Sequence, residues 1–182
     1  MAQGLYSNQI ENRNFLSPTG FKFTLSKYPK IDFFSNQASI PGINLGSAIQ
    51  SNYFKNIPVP GEKLSYDDFT LNFIVDEQME NYLTVHNWLR GFGFPENFRE
   101  YQDLLDQETM NPGRQTASSG ESDGSLIIYN SNYNPIISVN FIGLFPVSLS
   151  PVNFDSTSQD INYVNAEVTF KYTIYNIKPI TK

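Results

Sequence analysis

The sequence predicts a mainly β protein with a single packed helix, and three observations carry that expectation. Fifteen per cent of the 182 residues are aromatic and only 16% are charged, a composition of strands on a core and not of a disordered chain. Period-two alternation of apolar and polar residues recurs along the chain, the mark of half-buried strands. Helical spacing with clear start and stop signals occurs once, after Asp76. At roughly 100–200 residues per domain the length argues for one domain, large enough to bury a core without disulfides or a structural metal.

Residues 1–19 are polar, with Asn8, Asn12 and Asn14, and close in Ser17-Pro18-Thr19-Gly20. They read as an N-terminal arm leading into a turn, and residues 20–182 as the domain. Phe21, Phe23 and Leu25 alternate with Lys22, Thr24 and Ser26, which predicts a strand. Lys30 to Ile40 predicts a second, ended by Pro41-Gly42. The stretch from Ile43 to Gly61 holds Tyr53, Phe54 and Ile57 without a periodic partner and ends in Pro58-Val59-Pro60-Gly61. Proline cannot donate to a ladder, so this stretch reads as an extended loop or sheet edge.

Asp67 to Asp76 is the cleanest strand of the first half. Phe69, Leu71, Phe73 and Val75 point one way, and Asp68, Thr70, Asn72 and Ile74 the other. Asp76 then suits a helix N-cap, and Glu77 and Glu80 suit the positive end of the dipole. Met79, Tyr82, Leu83, His86 and Leu89, flanked by Trp88, fall near helical spacing as the inward face. Gly91 and Gly93 stop the helix and Pro95 prevents a restart.

Residues 95–124 read as a flexible insertion. Asn97 to Gln107 suits a short helix with Phe98, Tyr101, Leu104 and Leu105 on one side, followed by a loop through Pro112-Gly113 and Ala117 to Gly124. A loop this long in a compact domain is functional or disordered. The last third returns to strands: Ser125–Tyr129 and Ile136–Phe141 form a hairpin, and Pro146 and Pro151 punctuate a connection running through Asp155 to Asp160. Tyr163 to Lys178 is the longest strand pattern, with Val164, Ala166, Val168, Phe170, Tyr172 and Ile174 on one face. Asn165, Glu167, Thr169, Lys171 and Thr173 line the other. At about 3.3 Å per residue it would span roughly 50 Å, more than its own core needs.

The chemistry of enzymes is hard to assemble from these residues. There is no cysteine, which removes thiolate nucleophiles, thiolate zinc sites, iron–sulfur ligation and disulfides. The one histidine, His86, excludes a multi-histidine metal site. Any Ser-His-Asp arrangement would need His86 as base, and no Gly-x-Ser-x-Gly accompanies it, so it reads as a packing residue on the apolar side of the helix. Gly91-Phe92-Gly93-Phe94-Pro95 follows a helix and lacks the Lys-Ser/Thr of a phosphate loop. Asp67 and Asp68, adjacent in a strand, face opposite ways and cannot act as paired carboxylates. Asp155 to Asp160 lacks the alternating acids of a calcium loop. The aromatic residues read first as core or subunit packing, with a sugar- or base-stacking platform as the alternative. No catalytic, cofactor or metal site is expected, and the chain is not expected to be an enzyme.

Twelve Lys and Arg against eighteen Asp and Glu give a formal charge of −6. No cationic cluster offers phosphate neutralisation, and an acidic surface repels DNA and anionic membranes. No apolar run approaches the roughly 18 residues of a membrane span, so no membrane insertion is expected. The N-terminus has neither the basic flank nor the apolar stretch of a secretory signal. The expectation is a soluble protein that stays where it is made or leaves by lysis or assembly.

Taken in order, the motifs resemble the tail tube proteins of contractile-tailed (myovirus-type) bacteriophages. The most specific piece is Tyr66-Asp67-Asp68-Phe69-Thr70-Leu71-Asn72-Phe73-Ile74-Val75-Asp76-Glu77, running into the helix with Trp88. Around it stand the Pro41-Gly42 turn, the long loop closing in Val59-Pro60-Gly61-Glu62-Lys63, Ile142-Gly143-Leu144-Phe145-Pro146, Val152-Asn153-Phe154-Asp155 and the long final strand. The likeness spans about residues 15–178, and residues 95–124 look longer than the matching family region, which suits an outer wall better than a narrow bore.

That resemblance implies a β-sandwich or partial barrel with the helix packed on its side. Six copies would join strands into a ring, and rings would stack into a hollow tube that DNA passes through during injection. Closing a ring also removes the free sheet edges that would otherwise aggregate. It implies a structural virion protein, made in the host cytoplasm, without cofactor, whose partners are itself, the tail sheath, the baseplate and the tape-measure protein. Arg13, Phe15, Tyr53, Phe54 and Lys55 are the residues expected at inter-ring or inter-subunit contacts. Strand parity makes Asp68 and Glu167 the candidates for a bore that repels phosphate. Two rivals stand beside this reading: a ring that initiates or terminates the tube at the baseplate or neck, and a β-sandwich carbohydrate-binding module.

Overall fold

In the computed structural model, residues 16–28, 34–93, 95–97, 99–102, 120–154, 157 and 163–180 are described. Nine strands and a long helix follow one another: β1 (Phe21–Leu25), β2 (Phe34–Ala38), β3 (Ile43–Ser51), β4 (Asn56–Tyr66), β5 (Phe69–Ile74), α1 (Glu80–Gly93), β6 (Ser122–Tyr129), β7 (Pro135–Leu149), β8 (Asn165–Lys171) and β9 (Ile174–Pro179). All pairings are antiparallel. Two layers share β7: its first part lies between β6 and β9, with β1 beyond β6. Its last part pairs β8, followed by β5 and then β2. The ends of this path, β1 and β2, approach each other, so the layers make the partial barrel that was expected.

The long terminal pattern at 163–178 is two strands and not one. β8 ends at Lys171 and β9 begins at Ile174, yet both pair with β7 in one register: Phe145 opposite Lys171 and Ile142 opposite Ile174. The buried positions shift by one at the break. On β7 they run Val139, Phe141, then Leu144 and Pro146; on the partner they run Ala166, Val168, Phe170, then Tyr175. Tyr175 therefore replaces Ile174 on the inward face. Pro146 sits inside β7 instead of ending it, beside a register irregularity.

Gly143 marks the bend, with φ +66°, a conformation that costs a side-chain-bearing residue about 1–2 kcal/mol. A Cβ there would also lie 2.8 Å from Thr173 Oγ1. Gly143→Ala is expected to destabilise the subunit by about 1–3 kcal/mol, read as a lower midpoint in denaturant with an unchanged slope.

Inward alternation from five strands meets in one core. Phe23, Phe69, Phe73, Phe141, Phe170 and Trp88 are all fully buried, and each such side chain contributes about 1.5–3 kcal/mol. Phe69 is central, with ring centroids 4.6 Å from Phe141 and 5.3 Å from Phe23. The helix starts later than Asp76. A turn with Met79 at φ 56° intervenes, and the Asp76 carboxylate still caps it by accepting from the Asn81 amide at 3.4 Å.

The inward face of α1 is Asn81, Val85, Trp88 and Gly91, while His86 and Leu83 are exposed. His86 is thus not a packing residue. The polar Asn81 takes an inward position because its amide donates to the Ile74 carbonyl at 2.9 Å and its oxygen accepts from the Asp76 amide at 3.3 Å. Satisfying the end of β5 in this way displaces the apolar pattern.

Candidate assembly interface

Among the described residues β3 and β4 pair only with each other, as a separate two-stranded ribbon. Residues 43–61 therefore belong to a hairpin, the sheet edge of the two expected alternatives and not the loop. Its register runs from Ile43 opposite Tyr66 to Ser51 opposite Asn56, with an irregularity between Leu45 and Ser47. There Gly61 lies against Gly46 so closely that a Cβ on Gly61 would be 2.7 Å from the Gly46 carbonyl carbon. Pro58 and Pro60 fall in β4, which has no second neighbour to need their missing donors.

Alternation sorts the ribbon into two faces. Ile43, Leu45 and Ile49 share one face with their partners Tyr66, Leu64 and Pro58. Ile43 is 52% exposed, Leu45 54%, Ile49 69% and Leu64 54%. Isolated two-stranded hairpins are at best marginally stable in water, and contiguous exposed apolar residues make this face a candidate for contact. At the tip, Asn52 opens a turn by accepting from the Tyr53 amide at 2.6 Å and donating its own amide to the Lys55 carbonyl at 3.2 Å. This presents Tyr53 and Phe54 at 94% and 91% exposure, with their rings in edge contact at 5.3 Å.

The root of the hairpin is built differently. The Asp67 amide donates to the Gly42 carbonyl at 3.1 Å, and Asn44 Nδ2 donates to the Asp67 carboxylate at 3.3 Å. Tyr66 lies edge-on to Tyr172 at 6.1 Å and to Tyr175 at 5.7 Å. Burial pushes the Tyr172 phenol up to about 12, with lesser contributions from Tyr175, Asp67, Asp68 and Tyr66.

Tyr53, Phe54 and Lys55 come together at the hairpin tip. Arg13 and Phe15 lie outside the described residues. Asp68 and Glu167 share the outer face of the β5–β8 layer, where Glu167 stands opposite Asn72 and Thr70 opposite Thr169. Lys171 lies 4.0 Å from Asp68, so this face is polar with a small acidic excess. Beside it β2 comes last in the strand order, and β9 pairs only β7 among the described residues.

Of the insertion expected at 95–124, residues 103–119 lie outside the described residues. Its start is held to α1 by Arg90, 2.5 Å from Glu100 and 3.1 Å from Glu96, and the hydrogen bond to Glu100 is the main cause raising the Arg90 guanidinium above its usual value. Its end is held where Trp88 Nε1 donates to the Gly120 carbonyl at 2.8 Å. No group of three or more His, Cys, Asp or Glu that could hold a metal occurs among the described residues, and no described helix is long and apolar enough to cross a membrane.

The apolar face of the ribbon and its tyrosine root were not among the expected site residues. The alternation of Ile43, Leu45 and Ile49 was a usable signal, masked by Gly46 and by the two prolines.

No curated protein matches the sequence. Among solved structures, the chain resembles one in the PVC extracellular contractile injection system sheath–tube complex in its extended state, at 17% identity, 92% coverage of this chain, 94% of that one and a TM-score of 0.59. It also resembles the tube-terminating cap of the anti-feeding prophage, at 16% identity, coverage of 98% and 100%, and a TM-score of 0.63. A chain of the anti-feeding prophage baseplate shares 12% identity over 94% and 97% of the two chains, with a TM-score of 0.55. These likenesses establish a shared fold. Residues 5–178 match the phage tail tube protein family, and with nearly the whole sequence covered, the chain belongs to that family of structural proteins.

Proposed function

We propose that this protein is the tube subunit of a contractile tail, assembling as stacked hexameric rings around a bore that DNA crosses during injection. The observation that supports it most is the β3–β4 ribbon, apolar on one face and tipped by an exposed aromatic pair. A family of tubes gives that ribbon its partner, a second copy of the chain in the neighbouring ring. Aromatic anchors contribute most to such contacts. Within a ring, the end strands β2 and β9 are the places where copies would join strands. The near-neutral polar face carrying Asp68 and Glu167 suits the bore, since clustered cations would hold the phosphate backbone. The sheath and the baseplate are proposed as partners because the similar folds occur in a sheath–tube complex and a baseplate; the tape-measure protein is proposed from the family alone. On this reading the protein is part of the virion and is made in the host cytoplasm.

The likeness to a terminating cap favours one second reading, a ring that ends or starts the tube. Negative-stain microscopy of the purified full chain distinguishes them: open-ended filaments identify the tube, and single stable rings identify a terminator or initiator. Tyr53→Ala with Phe54→Ala is expected to leave the far-ultraviolet spectrum unchanged and to raise the concentration needed for stacking at least tenfold. Stacking at the wild-type concentration would remove the hairpin tip from the interface.

A further inference from the structure

We infer that Tyr172 and Tyr175 are positioning residues for assembly, a clamp that fixes the angle at which the β3–β4 ribbon leaves the body. The inference rests on the ribbon being the stacking element. Among the described residues the ribbon pairs with no other strand, so its direction is set at its root. Two chain segments enter that root, one at Pro41 before β3 and the other at Asp67 after β4. Each is gripped by one phenol: Tyr175 Oη donates to the Pro41 carbonyl at 2.9 Å, and Tyr172 Oη donates to the Asp67 carbonyl at 2.8 Å. The third ring, Tyr66 at the end of β4, packs edge-on against both.

The clamp is mounted on a rigid part of the body. Tyr172 occupies the break between β8 and β9, and the next residue, Thr173, donates its amide to the Ile142 carbonyl at 3.0 Å, one residue before the β7 bend at Gly143. Tyr172 and Tyr175 also stack edge-on to each other at 5.8 Å, and each reaches Phe141 of the core. The ribbon is therefore referenced to the junction of the two layers. Ordering a binding segment before it meets its partner removes part of the entropy lost on association, and a ribbon that must insert in register with its neighbour gains most from this.

Tyr172→Phe with Tyr175→Phe keeps every ring and removes only the two donors. Sedimentation of the full chain across a concentration series is expected to show the critical concentration for assembly raised about tenfold. Amide hydrogen exchange on the unassembled subunit is expected to accelerate across residues 41–67 and to stay unchanged in β5 and β8. Tyr66→Phe, whose ring alone is used, is expected to assemble as wild type. Wild-type assembly by the double variant, or exchange that rises equally in the core strands, would overturn the clamp. The Tyr53→Ala/Phe54→Ala protein separates the two ideas: if it fails to stack while the double phenylalanine variant assembles normally, only the clamp falls. If the tip variant stacks normally, only the tip leaves the interface, and the double phenylalanine variant alone decides the clamp.

Discussion

Trp88→Ala is expected to lower the melting temperature of the unassembled subunit by roughly 10–15 °C. Trp88 is fully buried and joins three parts of the molecule. Its ring lies 6.3 Å from Phe170 of β8 and 5.8 Å from Tyr28 after β1. Its indole nitrogen donates to Gly120, the residue that opens the path into β6, and Lys27 reaches the same carbonyl at 3.3 Å while lying over the indole ring at 5.4 Å. Removing the ring leaves a cavity under α1 costing about 3–5 kcal/mol, and the lost hydrogen bond adds about 1 kcal/mol. Trp88→Phe retains most of the apolar contact and should lose less than half as much. Circular dichroism on heating tests both; an alanine variant that melts within about 3 °C of wild type would show that α1 does not close the core.

What is legible in the sequence follows which faces the subunit buries. β1 and β5 were legible because one face of each is buried and the other is wet, so Phe23, Leu25, Phe69, Leu71 and Phe73 alternate with polar residues. The helix was legible from its stop at Gly93, although Gly91, expected to stop it too, lies within it on the buried face; the rest of that face was not legible, since Asn81 is buried to satisfy backbone groups at the end of β5. The β8–β9 break left no trace because both strands of the bent ribbon shift parity together at Gly143 and at Tyr172-Thr173, and the pattern stays apolar through the bend. The tip residues Tyr53 and Phe54 stood out as large aromatics without a periodic partner. Their ribbon did not: Ile43, Leu45 and Ile49 alternate, but Gly46 and the two prolines interrupt the pattern, and no buried face in the subunit reinforces it. Asp68 and Glu167 were placed on one face by parity alone, whereas Tyr172 and Tyr175 meet Pro41 and Asp67 across more than a hundred residues, a juxtaposition only the topology reveals.

Leu45→Asp with Leu64→Lys is expected to abolish assembly while leaving the subunit folded. Leu45 and Leu64 are direct cross-strand partners, and both are more than half exposed in the subunit, so little burial is lost when they change. An opposite-charge pair directly across two strands contributes roughly 0.2–1 kcal/mol, which keeps the ribbon intact. Docking this face on a second copy would instead require desolvating two charges, a penalty of several kcal/mol that an imperfectly bonded pair does not recover. The critical concentration should therefore rise by at least about a hundredfold, with a melting temperature within about 4 °C of wild type. Leu45→Ala with Leu64→Ala removes apolar area without introducing charge and should fall between the two. Sedimentation and electron microscopy at matched concentrations give the order wild type, alanine pair, charged pair. If the charged pair assembles as well as wild type, the apolar face of the ribbon points to solvent in the tube and the contact between rings lies elsewhere.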